Sequence, residues 1–262
     1  KIHFIGIGGI GMSALAQYYL EKGHQVRGSD LAVSEITMFL ESKGIRIVIG
    51  QEADNIVDDL DLVVYSPAVP SDNPELQQAR AYRISTKTYP EALGMLTKDY
   101  YTIAVSGSHG KSTTTSLIAL ILERAGLDPT VVVGTKLKEF GNSNFRIGKG
   151  KYLVIEACEY DSSFNNYSPT IEVITNVDEE HLDYFKTFEN VIKAFSEFIA
   201  KLPAEGYLVT NQDDSEIPVP ENAEFTVRHY SLEQPEAEEV KNLMQVPGAH
   251  NVSNALAALE VA

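Results

Sequence analysis

The stretch Ser106-Gly107-Ser108-His109-Gly110-Lys111-Ser112-Thr113-Thr114-Thr115 constrains this chain more than any other. A β-branched, apolar run (Tyr101–Val105) precedes it, and an apolar run of helical character (Ser116–Leu122) follows. Strand, glycine turn with Gly-Lys-Ser, then helix is the layout of a phosphate-binding loop. Glycines let backbone N–H groups close around phosphate oxygens, Lys111 adds a positive charge, and the Ser112 hydroxyl can ligate Mg²⁺. The general pattern G-x-x-x-x-G-K-[ST] asks for glycine where this chain has Val105; the nearest one is Gly107, giving G-x-x-G-K-S. A serine-capped glycine turn would account for the glycines, but it needs neither the lysine nor the hydroxyl after it. The stretch therefore predicts a user of nucleoside triphosphate.

With 262 residues, the chain has room for two domains or one large α/β domain. No run of about 20 apolar residues occurs, so no transmembrane helix is expected. The first residues already read as a strand, so no signal peptide is expected either. The formal charge of −16 argues against nucleic-acid and anionic-membrane partners. It also means that a phosphate site must work through local amides, Lys111 and metal. The single cysteine, Cys158, excludes an intramolecular disulfide and suits a reducing, cytoplasmic compartment, and no Cys/His cluster marks a zinc site.

Along the chain, Lys1–Ile5 reads as a buried strand, followed by Gly6-Ile7-Gly8-Gly9-Ile10-Gly11 and a helix ending at Gly23. Gln25–Ser29 is a second strand with Asp30 at its end. Leu62–Tyr65 is a third, stopped by the prolines of Ser66-Pro67-Ala68-Val69-Pro70. Ile84–Tyr89 is a strand broken by Pro90, and Glu91–Leu96 a short helix. Residues 1–98 thus read as a Rossmann-like domain. Residues 99–262 read as a second α/β domain with a mostly parallel sheet, its further strands at Val131–Val133, Tyr152–Ile155, Ile171–Thr175 and Gly206–Thr210. Phe188–Leu202 has helical spacing, whereas the acidic Ser231–Lys241 reads as a loop.

Four further segments carry candidate chemistry. Gly6-x-Gly8-x-x-Gly11, with Asp30 ending the next strand, fits the dinucleotide fingerprint; Asp30 is placed to accept a ribose hydroxyl, and an NAD-dependent enzyme is one reading. Glu156 ends a strand of the second domain, on the sheet edge of the phosphate loop, where a carboxylate suits Mg²⁺; Glu159 and Asp161 follow with a weaker claim, and Cys158 reads as an inert thiol. His181 lies in the turn after Ile171–Thr175. In Pro247–Ala255, Pro-Gly makes a turn and Asn251 or Ser253 is expected to cap the next helix, which leaves His250 and Asn254 unexplained.

The ordered set resembles the Mur ligase family of peptidoglycan synthesis. The segments that carry the resemblance are Gly6–Gly11 with Met12 and Ser13, Ser66–Val69, Gly107–Thr115, Glu156–Asp161, Thr175-Asn176 with His181, and Pro247–Ala258. The resemblance implies that the N-terminal domain binds UDP of a sugar nucleotide rather than NAD, with Gly8, Gly9, Ile10 and Gly11 at the diphosphate and Asp30 and Ser66 nearby. It implies an ATP site at Gly107, Ser108, His109, Gly110, Lys111, Ser112 and Thr113, with His250 and Asn254 bordering the adenine. Ser112, Glu156 and His181 would hold Mg²⁺, Lys111 and His181 would serve catalysis, and His109, Asn144 and Arg146 would approach the muramyl group.

The implied reaction joins L-alanine to the carboxylate of UDP-N-acetylmuramate through an acyl phosphate made with ATP. A family member that adds a tripeptide to the same sugar nucleotide, an NAD-dependent oxidoreductase and a non-catalytic nucleotide-binding protein are the alternatives. The stretch between Tyr230 and Pro247 is shorter than the family usually has, and the sequence stops at Ala262, inside the helix after the adenine motif. The resemblance thus implies a fragment without the family's C-terminal domain, which helps bind the amino acid; the fragment is expected to bind the UDP-sugar, and ATP weakly, but not to ligate.

Overall fold

A computed structural model describes residues 1–262. By its contacts the chain divides into two compact units, residues 1–93 with 134–147, and residues 94–133 with 148–262. The division thus falls between Leu93 and Gly94, where the sequence boundary is expected after Lys98, and it returns one later segment to the first unit.

The first unit runs β1 (Ile2–Ile5), α1 (Ile10–Glu21), β2 (Val26–Asp30), α2 (Glu35–Ser42), β3 (Arg46–Ile49), β4 (Leu62–Tyr65), α3 (Pro74–Ala81), β5 (Ser85–Thr88) and the start of α4 (Tyr89–Thr97). Its five strands lie in the order β3-β2-β1-β4-β5, all parallel. β1 is buried along its length because both neighbours and both faces are covered. The glycine loop leaves β1 at the point where strand order reverses, the usual ligand crevice of such sheets. α2 and α3 escape the hydrophobic pattern of the sequence but carry clear start signals. Ser34 and Thr37 form a capping box, and Asn73 accepts from Glu75 and Leu76 N–H ahead of Pro74. Pro90 does not break the chain before a helix; it is the second residue of α4, where its missing N–H is harmless.

The second unit begins with β6 (Tyr101–Ser106) and α5 (Lys111–Arg124). β7 (Thr130–Leu137) starts here, and β8 (Ser143–Arg146) follows within the segment that clusters with the first unit. There Asn144 Nδ2 donates to the Ile10 carbonyl at 2.6 Å, tying β8 to the first turn of α1. The unit continues with β9 (Tyr152–Glu156), β10 (Ile171–Ile174), α6 (Leu182–Phe185), α7 (Phe188–Ile199), β11 (Tyr207–Asn211), β12 (Thr226–Tyr230), α8 (Glu236–Leu243) and α9 (Ala249–Val261). The sheet order is β12-β11-β10-β6-β9-β7-β8, so β6 and its loop lie between β9 and β10, and those three pair in parallel. α7 buries Val191, Ala194, Phe195, Phe198 and Ile199 on one face, and Phe164 stacks on Phe198 at 4.5 Å.

Two expectations are corrected here. The acidic stretch read as a loop contains α8; its first turn holds Glu236, Glu238 and Glu239, favourable charges at a helix N-terminus, and only Ala237 is buried, so no apolar stripe advertises it. α9 is not capped by Asn251 or Ser253. Its N-cap is Gly248, without a side-chain cap, while Asn251 Nδ2 donates to the Pro247 carbonyl. No helix is long and apolar enough to cross a membrane.

Candidate nucleotide and metal site

The chain leaves β6 through Gly107, at φ +131°, and enters α5 through Gly110, at φ +85°. Both values lie where side chains are strained, and the space a Cβ would need is already taken: 2.0 Å from Thr175 Oγ1 at Gly107, and 2.2 Å from Asn254 Oδ1 at Gly110. The segment after β10 clamps the loop. Ser108 N–H donates to the Asn176 carbonyl, and His109 N–H to Asn176 Oδ1 at 2.8 Å. The His109 carbonyl accepts from Thr175 Oγ1 at 2.6 Å and Asn176 Nδ2 at 3.0 Å, and Asp178 N–H donates to Ser108 Oγ.

Lys111 Nζ folds back over this loop, donating to the Gly107 and Ser108 carbonyls at 2.6 and 2.9 Å and to Glu159 Oε1 at 3.0 Å. Next to it Ser112 Oγ donates to Glu156 Oε2 at 2.8 Å, so a hydroxyl from α5 and a carboxylate from the end of β9 meet. Glu159 is buried; Oε1 also faces His181 Nε2 at 3.6 Å, and Oε2 has no partner. Glu159, Glu180 and His181 bring their ligand atoms within 4.8 Å of one another. An orphaned buried carboxylate oxygen among hard oxygen and imidazole donors is chemically suited to a divalent cation. His181 has left-handed backbone geometry, φ +58°, and packs edge-on against Tyr160. Asp161 and Ser162, also at positive φ, turn the chain just after Glu159.

The remaining expected residues divide clearly. Asn254 lies against Gly110; His250 is exposed at the start of α9, near Gly248, and Thr113 is exposed on α5. The His109 imidazole is exposed and faces Glu180 at 3.6 Å and Asp178 at 3.9 Å. Cys158 reaches the surface, yet desolvation, then the Glu159 carboxylate, push its thiol up, in keeping with an inert thiol.

In the first unit, Asp30 closes the glycine loop itself: Oδ2 accepts from Gly8 N–H at 2.7 Å and Oδ1 from Leu31 N–H at 2.8 Å. Gly9 is the N-cap of α1, Ile10 and Gly11 are its first residues, and a Cβ on Gly11 would meet the Tyr89 ring at 2.5 Å. Ser66 directly follows β4 beside Gly6, and Arg146 is half-buried at the end of β8.

Two family descriptions match the chain in sequence order. Residues 1–101 match "Mur ligase family, catalytic domain", and residues 105–262 match "Mur ligase middle domain". The chain belongs to the Mur ligase family. The UDP-N-acetylmuramate–L-alanine ligase of Aquifex aeolicus is 44% identical over 285 aligned residues, covering 100% of this chain and 62% of that protein. The corresponding ligase of Clostridium kluyveri is 43% identical with the same coverage. The crystal structure of UDP-N-acetylmuramate–alanine ligase from Thermotoga maritima superposes with a TM-score of 0.82 at 31% identity, covering 100% of this chain and 64% of that one. A Neisseria meningitides ligase for L-alanyl-γ-D-glutamyl-meso-diaminopimelate gives a TM-score of 0.89 at 24% identity, a likeness of fold alone. The chain thus spans about 62% of the length of the Mur ligases it matches. Family membership leaves the oxidoreductase reading of Gly6–Gly11 without support.

Proposed function

We propose that this chain supplies the sugar-nucleotide and ATP sites of a cytoplasmic enzyme of peptidoglycan precursor synthesis, one that joins L-alanine to the carboxylate of UDP-N-acetylmuramate. The observation that carries the reading is the cluster at the carboxyl ends of β6, β9 and β10, where Lys111, Ser112–Glu156 and Glu159–His181 meet. Relatives at 40–44% identity that bear the L-alanine ligase name support alanine over a peptide as the second substrate.

In this reading the muramyl carboxylate attacks the γ-phosphorus of ATP, ADP leaves, and the amine of alanine then displaces phosphate from the acyl phosphate. A carboxylate is a poor electrophile at neutral pH, and phosphorylation supplies the leaving group. Loop amides cradle the phosphates, and Lys111 neutralises the developing charge. All three donors of Lys111 are engaged within the loop and by Glu159, so reaching a phosphate oxygen exchanges one of these bonds for another. Mg²⁺, when bound, offsets charge on the phosphoryl oxygens; Ser112 and Glu156 would hold one ion, and His181, with Glu159 and Glu180, a second. His250 and Asn254 would border the adenine. Gly8, Gly9, Ile10 and Gly11 would face the UDP diphosphate at the N-terminus of α1, with Asp30 and Ser66 beside them. His109, Asn144 and Arg146 would approach the muramyl group.

Parallel calorimetric titrations with UDP-N-acetylmuramate, MgATP and NAD test the assignment. Binding of the first two and not the third is expected; binding of NAD without the sugar nucleotide would overturn it.

A further inference from the structure

Tyr230, at the end of β12, is wholly buried, and burial pushes its phenol well above the ordinary range. A buried phenol keeps its proton and needs partners for it. Here the hydroxyl donates to the Thr175 carbonyl at 3.4 Å, and the Ser253 side chain on α9 faces the phenol closely enough to draw its pKa back down. Thr175 is the residue whose Oγ1 holds the His109 carbonyl and fills the space beside Gly107. The next residue of α9, Asn254, is the one packed against Gly110. Two neighbouring residues of α9 therefore reach the phosphate loop by two routes, Ser253 through Tyr230 and Thr175, and Asn254 directly.

We propose that Tyr230 is a positioning residue for the phosphate loop: its hydroxyl makes the seat of α9 part of what fixes the Gly107–Gly110 backbone. The inference rests on the nucleotide reading of that loop. A phosphate cradle built from backbone amides works only if those amides are aimed before the nucleotide arrives. Gly107 and Gly110 carry no side chains, so at these two positions the walls that face them set the backbone. Thr175 and Asn254 are the rigid walls, and Tyr230 keeps the first wall in register with the helix that carries the second.

Hydrogen exchange on Tyr230→Phe, in the full chain without nucleotide, is the direct test. Faster exchange of the Ser108–Lys111 amides, by roughly fivefold or more, is expected, with the β6 and α7 amides unchanged. In the same variant the Kd for a non-hydrolysable Mg-ATP analogue should rise several-fold, and combining Tyr230→Phe with Asn254→Ala should give less than the product of the two effects. Exchange that rises uniformly over the unit, or loop exchange identical to the parent, would overturn the proposal. If Tyr230→Phe fails to fold, Ser253→Ala removes the other end of the same link and must give the same local pattern. Exchange is read without ligand, so a parent chain that binds no nucleotide refutes the site assignment and leaves the loop coupling to be judged separately.

Discussion

The two glycine loops have the same ancestry in physics and opposite electrostatics. Each follows a central parallel strand, opens a helix and lies at the reversal of strand order. In the first unit the loop has no cation of its own, and the Asp30 carboxylate occupies the Gly8 amide. In the second, Lys111 covers the loop, two carboxylates stand beside it, and two glycines are pressed against polar side chains. Under the proposed function, the first arrangement suits a diphosphate that is only held, and the second a phosphoryl group that is transferred, where charge would change during the reaction. Glycine spacing alone does not separate the two roles. The side chains that surround each loop do.

The comparison can be broken most directly at Lys111. Lys111→Ala should weaken MgATP binding by roughly 10- to 100-fold, the magnitude of a charged hydrogen bond to phosphate, and leave UDP-N-acetylmuramate binding unchanged. Titrating both ligands into one variant decides it; equal losses would mean that the units are not separate in function. Next come the glycines. Gly110→Ala, at positive φ and 2.2 Å from Asn254, should lower unfolding free energy by about 1–3 kcal/mol. Gly11→Ala should lower it by roughly 1 kcal/mol or less, since helix propensity offsets the push on Tyr89. Denaturant curves compare them, and a reversed order would sink the view that the second loop is the more tightly built.

A second contrast lies in two buried carboxylates. Glu75, in the first unit, accepts from Ser29 Oγ at 2.5 Å and Asn55 Nδ2 at 2.6 Å and faces His3 Nε2 at 3.3 Å. Glu172, in β10, has no partner on either oxygen, and desolvation raises its pKa well above the usual carboxylate range, with Lys201 pulling weakly the other way. A raised folded-state pKa means that the native state holds a proton the unfolded state releases. Stability from this group is therefore full below about pH 4.5 and falls as pH rises toward the folded value, by at most about 1.4 kcal/mol per pH unit. Glu172→Gln should flatten that slope in urea titrations between pH 5 and 7; an unchanged slope would place its source elsewhere. A comparably small effect is expected at Asp30. Asp30→Ala removes two hydrogen bonds of the first loop and should lower stability by about 1 kcal/mol, with no change in MgATP affinity.

Much of this architecture was readable in the chain because buried parallel strands are continuous apolar runs and the glycine turns punctuate them. The candidate loop at Gly107–Gly110, Glu156 and His181 are legible as candidates because they follow such strands directly. Glu159 is harder to read from the sequence. Its one signal is a second carboxylate three residues after Glu156, and its partner Lys111 lies 48 residues away in the sequence, beside a turn that holds two non-glycine residues, Asp161 and Ser162, in left-handed geometry. No pattern of residue types announces that. α8 was hidden because a helix with one buried residue has no stripe, and the partners of Asn254 and Tyr230 lie far away in sequence.

The return of residues 134–147 to the first unit has a consequence for how the protein is made. During synthesis β1 to β5 are complete long before Asn144 exists, so the first turn of α1 waits for a partner that emerges only after the phosphate loop and α5. The first unit is thus finished out of order, and a ribosome-bound chain arrested shortly before residue 134 should hold it in a looser state than one arrested well beyond residue 147.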